Sequence, residues 1–239
     1  MDNAEIYFDK KYKELIYTFY TAIFSDKESM DDFVLQVLSS KDDNAARRMM
    51  NNIMQLISLS DDINIIRPNR DPLRIFFMRT CQEAVYKIYN EKMEQDCRIK
   101  IENFFTDFFP IEGQNYVKKH FLFLGVDYNK QPDLKKKKYL DNKEWYDLEM
   151  TDFSLLFFKI RGMVTHEGDY WSFQLFSRNN EEMAYSTSIH TDEKILECVE
   201  CEKGEKYTYF FETTMHYNIF RNYFVEGCLN IIKLYLEII

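Results

Sequence analysis

The chain of 239 residues carries 31 lysines and arginines against 40 aspartates and glutamates, a formal net charge of -9, and 17% of its residues are aromatic. This composition is typical of a globular protein with a large apolar core, and it excludes the disordered and fibrous classes. Only 6 glycines and 4 prolines are present, which argues against glycine-rich nucleotide loops and many-turned all-β folds. The acidic balance also argues against a surface that coats DNA, because such binding depends on neutralising phosphates.

The sequence predicts neither a secretory signal nor a membrane span. Residues 1–5 lack the basic and apolar segments of a signal peptide. The longest apolar runs, such as residues 155–158, are far shorter than the roughly 20 residues that a transmembrane helix needs. The 5 cysteines are an odd number, which favours a reduced, cytoplasmic location over a disulfide framework.

Three helices are predicted in the N-terminal part of the chain. Apolar residues at helical spacing indicate a first helix over residues 4–24, a second over residues 27–39 and a third that ends near Ile57. Ser40 or Asp42 is a suitable N-cap for the third helix.

A boundary is predicted after these helices. Residues 58–69 read as a polar connection that ends among prolines and Asn or Asp residues. We therefore divide the chain into an N-terminal helical region at 1–69, which is either a subdomain or an independent domain, and a helical domain at 70–239.

The helical pattern resumes after Pro72 and continues to Pro110, as one long helix or two abutting helices. A further helix is predicted over residues 114–125, followed by a polar, basic loop at 127–141. Asp141 or Asn142 then begins the helix of greatest interest, which ends at Gly168. Its apolar stripe has the helical spacing four, three and four, and consists of Phe153, Phe157, Ile160 and Val164.

The period of the apolar residues changes from that of a helix to that of strands over residues 170–211. We predict a small antiparallel sheet of three or four strands here, with a hairpin turn at 202–205. Thr213 or Thr214 then begins a final helix that continues to Ile239. The predicted fold class is therefore mainly α, a helical bundle with a small antiparallel β insertion before the C-terminal helix.

Arg161 and His166 are the candidate catalytic residues of the chain. In a regular helix, five residues rotate the chain by about 140° and advance it by roughly 7.5 Å. The two side chains can therefore share a phosphate only if the last turn loosens near Glu167 and Gly168 or if a second helix contributes. A symmetric dimer brings two such helix ends together.

The spacing of Arg161 and His166 resembles the R-x4-6-H signature of the HEPN superfamily, small helical proteins found among prokaryotic toxins, abortive-infection systems and RNA-processing factors. The resemblance covers the motif and its setting, roughly residues 71–239 apart from the β segment. It implies a HEPN-like, metal-independent endoribonuclease, a toxin or defence effector that acts on RNA as a homodimer and needs no cofactor. It further implies that Arg161 clamps the scissile phosphate and that His166 acts as general base or acid.

Gly162 departs from the family pattern, in which Asn or Asp commonly follows the arginine. Thr165 offers a hydroxyl from the other end of the turn, and Glu167 is expected to assist. This departure leaves the fold expectation unchanged but leaves open a second function, a non-catalytic helical binding or regulatory module with an antitoxin-like or regulatory partner.

The motif residues also have a purely structural interpretation. Arg161 would then pair with Glu167 or Asp169, and His166 would cap the C-terminal end of the helix, where a cation is favoured.

Two other segments are candidates for ligand contact. The lysine run Lys135, Lys136, Lys137 and Lys138 is either an RNA contact beside aromatic residues or a solvated loop. The pair Cys198 and Cys201 has zinc-ligand spacing, but a structural zinc site needs four ligands and the chain offers no second pair. We therefore predict no metal site.

Overall fold

A computed structural model describes residues 3–40, 44–128, 148–168, 173–176, 184–191, 196 and 206–238. For residues 3–10, 127, 128, 166 and 167 it describes the backbone alone. Helices predominate in these ranges, and one three-stranded antiparallel sheet accompanies them. The predicted mainly α fold with a small antiparallel sheet is therefore confirmed.

The described ranges contain seven α-helices, three strands and several short turns of other helical types. The α-helices are α1 (Asn3–Tyr20), α2 (Lys27–Ser39), α3 (Ala45–Ile66), α4 (Asp71–Lys92), α5 (Ile111–His120), α6 (Met150–Gly162) and α7 (Tyr217–Ile238). The strands are β1 (Phe121–Tyr128), β2 (Tyr185–Thr191) and β3 (Tyr207–Thr213). The 3-10 turns are Gln95–Cys97 and Ile101–Asn103, and the π-helical turns are Phe104–Phe108 and Met163–Glu167.

Helix α2 has the bounds that the sequence predicts. It begins after Asp26, whose carboxylate accepts a hydrogen bond from the backbone N–H of Ser29 at 2.7 Å. A side-chain acceptor at this position satisfies one of the free N–H groups of the first turn. The preceding helix α1 ends at Tyr20, four residues before the predicted limit at 24.

The predicted polar connection at 58–69 is wrong over residues 58–66, which form the last turns of α3. Ser60 is fully buried, and its hydroxyl donates to the carbonyl oxygen of Arg74 at 3.1 Å and lies 2.7 Å from the Tyr217 hydroxyl. Polar residues are stable inside a fold when their hydrogen bonds are satisfied. The polar residues of this segment therefore belong to a buried hydrogen-bond network and not to a loop. The boundary predicted at residue 69 lies in the turn between α3 and α4.

The helical spacing between residues 72 and 110 belongs to one α-helix followed by shorter turns. Helix α4 ends at Lys92, and two 3-10 turns lead into the π turn Phe104–Phe108. Phe104 and Phe105 of that turn are fully buried. The wider π turn thus places consecutive aromatic rings in the core.

The helix predicted over residues 114–125 is wrong in its second half. Helix α5 ends at His120, and β1 begins at the next residue. Phe121 and Phe123 are buried, whereas Leu122 between them is half-exposed. This alternation has the period of a strand. The segment is short, however, and its apolar content alone does not distinguish a strand from the continuation of a helix.

The sheet has the strand order β1-β3-β2, with both pairs antiparallel. Its first strand precedes the motif helix in sequence, so the sheet extends beyond the insertion predicted at 170–211. The buried face of the sheet packs on α6 through Phe121, whose ring centroid lies 5.7 Å from that of Phe153. The strand predicted at 170–176 is wrong over its described residues 173–176, which form only an isolated bridge between Phe176 and His216. Of the strand predicted at 195–200, only residue 196 is described.

The core around α6 and α7 is built from aromatic rings. Phe105 lies at its centre, with ring centroids 4.9 Å from Phe153 and 5.1 Å from Phe157. On α7, Phe224 lies 5.8 Å from Phe157. The two pairs of Phe105 are edge-to-face, and such pairs add to the free energy gained by burial. No helix in the described ranges is long and apolar enough to cross a membrane.

Candidate functional site

The C-terminal end of the motif helix is a wide turn. Helix α6 ends at Gly162, and residues 163–167 continue it as a π turn that Gly168 closes in the left-handed conformation, with φ 64. The Gly168 N–H donates to the carbonyl oxygen of Met163. Because a π turn rotates less per residue than an α-helix, it moves position 166 back toward the side of the helix on which Arg161 lies. The last turn is thus looser than that of a regular α-helix.

The apolar stripe predicted for this helix anchors it firmly. Phe153, Phe157, Ile160 and Val164 are all buried. The Ser154 hydroxyl donates to the carbonyl oxygen of Glu102 at 2.8 Å, which ties the first turn of α6 to the segment after α4. The end of α6 is therefore held by packing along its length.

Arg161 forms an ion pair with Glu83 on the neighbouring helix α4. Its Nη2 lies 3.5 Å from Oε2 of Glu83, and 29% of the Arg161 side chain is exposed. The other carboxylate oxygen of Glu83 lies 3.3 Å from Nε of Arg79. One carboxylate thus bridges two guanidinium groups, and these three side chains together carry one excess positive charge.

Arg79 is the buried member of this group, with 5% of its surface exposed. Its Nη1 donates to Oε1 of Gln82 at 2.6 Å, and its guanidinium carbon lies 5.3 Å from the centroid of the Phe158 ring. This is the range of a cation–π contact. Burial lowers the pKa of Arg79, Glu83 opposes this shift, and the positive charge of Arg161 adds to it.

Two buried donors here have no hydrogen-bond partner among the described residues, Nε of Arg161 and the hydroxyl of Tyr86. Nε of Arg79, by contrast, has the Glu83 carboxylate as its ion-pair partner. Burial raises the pKa of Tyr86, and the charge of Arg79 opposes that shift, so the phenol and the guanidinium are close enough to interact. Buried donors without partners are rare in native folds. We call these three side chains together with Glu83 the arginine cradle.

Of the other predicted site residues in this turn, the structure describes the side chain of Thr165 but not those of His166 and Glu167. Thr165 is exposed, and its hydroxyl donates to the carbonyl oxygens of Arg161 at 3.2 Å and Gly162 at 3.1 Å, so its hydrogen is already engaged within the turn. The side chains of His166 and Glu167 lie outside the described residues, although their backbone belongs to the π turn.

Gly162 faces open space. A Cβ added at this residue would meet no atom within 4 Å. Its φ of -59 is that of an ordinary helix. The position therefore accepts a Cβ without displacement of its neighbours.

Several predicted residues fall outside the described ranges. These are Asp169, the lysine run Lys135, Lys136, Lys137 and Lys138, and the pair Cys198 and Cys201. Within the described ranges, no three His, Cys, Asp or Glu side chains are grouped as metal ligands.

Arg79, Glu83 and Tyr86 were missed by sequence reasoning. They lie at positions i, i+4 and i+7 of α4, which is one face of a helix. This face was visible in the sequence, but nothing in the spacing indicates that it meets Arg161. That contact depends on the packing of α4 against α6.

Comparison with known protein families, with curated proteins and with solved structures found no match to this chain.

Proposed function

We propose that this protein is a HEPN-like, metal-independent endoribonuclease that acts on RNA as a dimer. The single observation that carries the proposal is the arginine cradle, in which the guanidinium groups of Arg161 and Arg79 share the carboxylate of Glu83 at the end of the helix that leads into the turn of His166. Guanidinium groups match the geometry and charge of phosphate. A phosphate bound at Arg161 would be stabilised by the excess positive charge of the two guanidinium groups.

Each residue of the site has a separate task in this proposal. Arg161 holds the scissile phosphate. His166 moves the proton between the ribose 2′-hydroxyl, the leaving oxygen and water, a task that suits histidine because the unperturbed pKa of this residue type is about 6.5. Glu83 positions Arg161 by an ion pair and keeps Arg79 charged within the fold. Thr165 and Glu167 support the turn.

The dimer proposal is supported by the outer face of α6. Leu155 is 43% exposed and Phe158 is 49% exposed, and Gly162 continues the same face with open space above it. Large apolar side chains exposed side by side favour an interface. Pairing of this face with a second copy would bring two arginine cradles together, and the lysine run Lys135, Lys136, Lys137 and Lys138 would guide RNA toward them.

A non-catalytic role on the same scaffold is the second candidate. Gly162 stands where HEPN proteins commonly have Asn or Asp. In addition, the carboxylate of Glu83 already offsets part of the positive charge of Arg161. In this case the cradle binds RNA or a nucleotide without cleaving it. We further propose that the protein is a toxin or defence effector. It would be located in the cytoplasm and controlled by an antitoxin-like or regulatory partner.

An RNA cleavage assay in EDTA tests the proposal. It compares the wild-type protein with Arg161→Ala and His166→Ala on several single-stranded and structured RNAs. We expect cleavage by the wild type and a loss of at least about 100-fold in each variant, in line with the contribution of a general acid or base. Equal cleavage by wild type and His166→Ala would exclude the assigned chemistry. RNA binding without cleavage would favour the second candidate.

A further inference from the structure

Glu83 lies between the two guanidinium groups of the arginine cradle and within reach of a ligand. Its Oε2 lies 3.5 Å from Nη2 of Arg161, and its Oε1 lies 3.3 Å from Nε of Arg79. The side chains of Glu83 and Arg161 are 34% and 29% exposed. A phosphate that approaches Arg161 from solvent therefore also comes close to the carboxylate of Glu83.

Arg79 is held in the core by its contacts and does not turn toward such a phosphate. Its Nη1 donates to Oε1 of Gln82 at 2.6 Å, and its guanidinium carbon lies 5.3 Å from the ring centroid of Phe158. Only 5% of Arg79 is exposed. Arg79 thus serves as the counter-charge of Glu83, and Arg161 is the guanidinium that a ligand meets.

Two further carboxylates act on the cradle. Burial raises the pKa of the Tyr86 phenol, and the negative charges of Asp107 and Glu102 add to this shift. The field of both carboxylates therefore reaches the Tyr86 hydroxyl, which is buried and has no hydrogen-bond partner among the described residues. The positive charge that a ligand meets is thus mainly that of Arg161.

The number of charges on a ligand decides how strongly Glu83 opposes its binding. The repulsion between two charged groups is proportional to the product of their charges. An internal phosphodiester carries one negative charge, whereas a terminal phosphate monoester carries close to two at about pH 8, because its second pKa is about 6. Glu83 therefore repels a terminal phosphate about twice as strongly as an internal one.

We propose that Glu83 is a specificity-determining residue, which makes the cradle select internal phosphodiesters over terminal phosphate monoesters. A like charge built into a site is a common means of rejecting a competing ligand. Arg161 balances the single charge of a phosphodiester, whereas the second charge of a terminal phosphate stays unbalanced beside Glu83. This inference rests on one part of the proposed function, the binding of phosphate by Arg161.

A purely structural role of Glu83 makes a different prediction. If the carboxylate only keeps Arg79 charged within the fold, its removal lowers the stability but does not alter which phosphate is preferred. The ratio of the affinities for the two kinds of phosphate therefore distinguishes the two roles.

The probes for the test are two nucleotides that differ by one methyl group and one charge. They are 2′-O-methyluridine 3′-phosphate, which is a doubly charged monoester at about pH 8, and its methyl ester, which is a singly charged diester. The 2′-O-methyl group removes the nucleophile, so neither nucleotide is cleaved. Isothermal titration calorimetry at low ionic strength, where charges are least screened, measures the binding of each nucleotide to the full chain.

We expect the wild type to bind the two nucleotides with affinities within about twofold of each other, and Glu83→Gln to bind the monoester roughly fivefold more tightly than the diester. A change of this size corresponds to one partly exposed charge pair. Glu91→Gln is the matched control, because it removes the same charge from α4 at a side chain that is 45% exposed, and it should leave the ratio unchanged. Circular dichroism establishes that each variant is folded.

Four results overturn the proposal. The first needs no variant, and it is a wild type that prefers the monoester by more than about fivefold. The others are an equal affinity ratio in wild type and Glu83→Gln, an equal shift of the ratio in Glu91→Gln, and no binding of either nucleotide.

The outcomes also separate this proposal from the proposed function. Binding of both nucleotides with the same ratio in every variant overturns the role of Glu83 and leaves phosphate binding by Arg161 standing. The expected ratios without any RNA cleavage retain the role of Glu83 and favour the non-catalytic candidate.

Discussion

Nη2 of Arg161 on α6 lies 3.5 Å from Oε2 of Glu83 on α4. This contact connects the predicted motif to a helix that begins 90 residues earlier in the sequence, at Asp71. It fixes the guanidinium at the end of α6 while its Nε remains without a hydrogen bond. Because the second oxygen of Glu83 faces Arg79, a phosphate that approaches Arg161 meets two cations and one carboxylate.

Glu83→Gln is expected to destabilise the protein by about 1–2 kcal/mol, since it leaves Arg79 buried beside an uncharged amide. Loss of one partner of a fully buried pair costs about 3–5 kcal/mol, and the value is lower here because 34% of the Glu83 side chain is exposed. Urea denaturation measures the change. Glu91→Gln is the control, because its ion pairs with Arg48 and Lys87 are 4.0 Å long and largely exposed. Equal effects of the two substitutions would show that Glu83 does not stabilise Arg79.

Gly162→Ala is expected to stabilise the protein by about 0.5–1 kcal/mol, because alanine loses less conformational entropy than glycine in a helix. The new Cβ meets no atom within 4 Å. Gly227→Ala is the matched comparison in α7, where a Cβ would lie 2.9 Å from Cζ of Phe104, and we expect it to destabilise by about 1–3 kcal/mol. Thermal denaturation of both variants measures these opposite changes in stability. A destabilised Gly162→Ala would contradict the open space seen at this position.

The stability of the protein should fall as the pH is lowered through the range in which His120 titrates. Burial lowers the pKa of His120 below 6.5, and the charges of Lys119 and His216 add to this shift. The unfolded chain therefore takes up a proton at a higher pH than the folded chain, so the stability present above pH 6.5 is lost as the pH falls through the lower folded pKa. Urea titrations across this range measure the slope.

His120→Gln should flatten that slope. The amide can replace the hydrogen bond between Nδ1 of His120 and the Thr214 hydroxyl, which is 2.8 Å long. The control is His190→Gln at an exposed strand position, where Nδ1 lies 2.8 Å from the Thr208 hydroxyl. An unchanged slope in His120→Gln would assign the pH dependence to other groups.

Phe158→Ser is expected to convert a dimer to a monomer, because it removes the largest exposed apolar side chain of the outer α6 face. Sedimentation equilibrium measures the association. Ile65→Ser is the control, since Ile65 is 80% exposed on α3 and has no part in the proposed interface. A wild-type protein that is monomeric at the concentration of the cleavage assay would exclude the dimer.

The sequence predicted the C-terminal part of the motif helix because its signal is local, but the predicted start at Asp141 or Asn142 is wrong, since the helix begins at Met150. The apolar stripe from Phe153 to Val164 repeats with the period of a helix, and all its members are buried. Gly168 closes the turn, as its freedom at positive φ allows. Strand β1 was missed because its eight residues follow helix α5 without a break in the sequence. The alternation of buried and exposed residues in it is too short to stand out from the helical pattern.

The arginine cradle could not be predicted in the same way. Glu83 and Arg79 form an i, i+4 pair on α4, and such a pair normally indicates only a solvated helix face. Their meeting with Arg161 depends on how α4 packs against α6. Likewise, Ser60 lies in a polar segment that resembled a loop, and its burial depends on Tyr217 and Arg74 from distant parts of the chain.

The most direct test of the proposed chemistry compares two substrates with wild-type protein in EDTA. One is an RNA that the protein cleaves, and the other is the same RNA with a 2′-deoxy group at the cleaved nucleotide. If His166 transfers the proton of the 2′-hydroxyl, only the unmodified RNA is cut, and the product carries a 2′,3′-cyclic phosphate. Cleavage of both substrates at the same rate, or cleavage that EDTA abolishes, would contradict this account of Arg161 and His166.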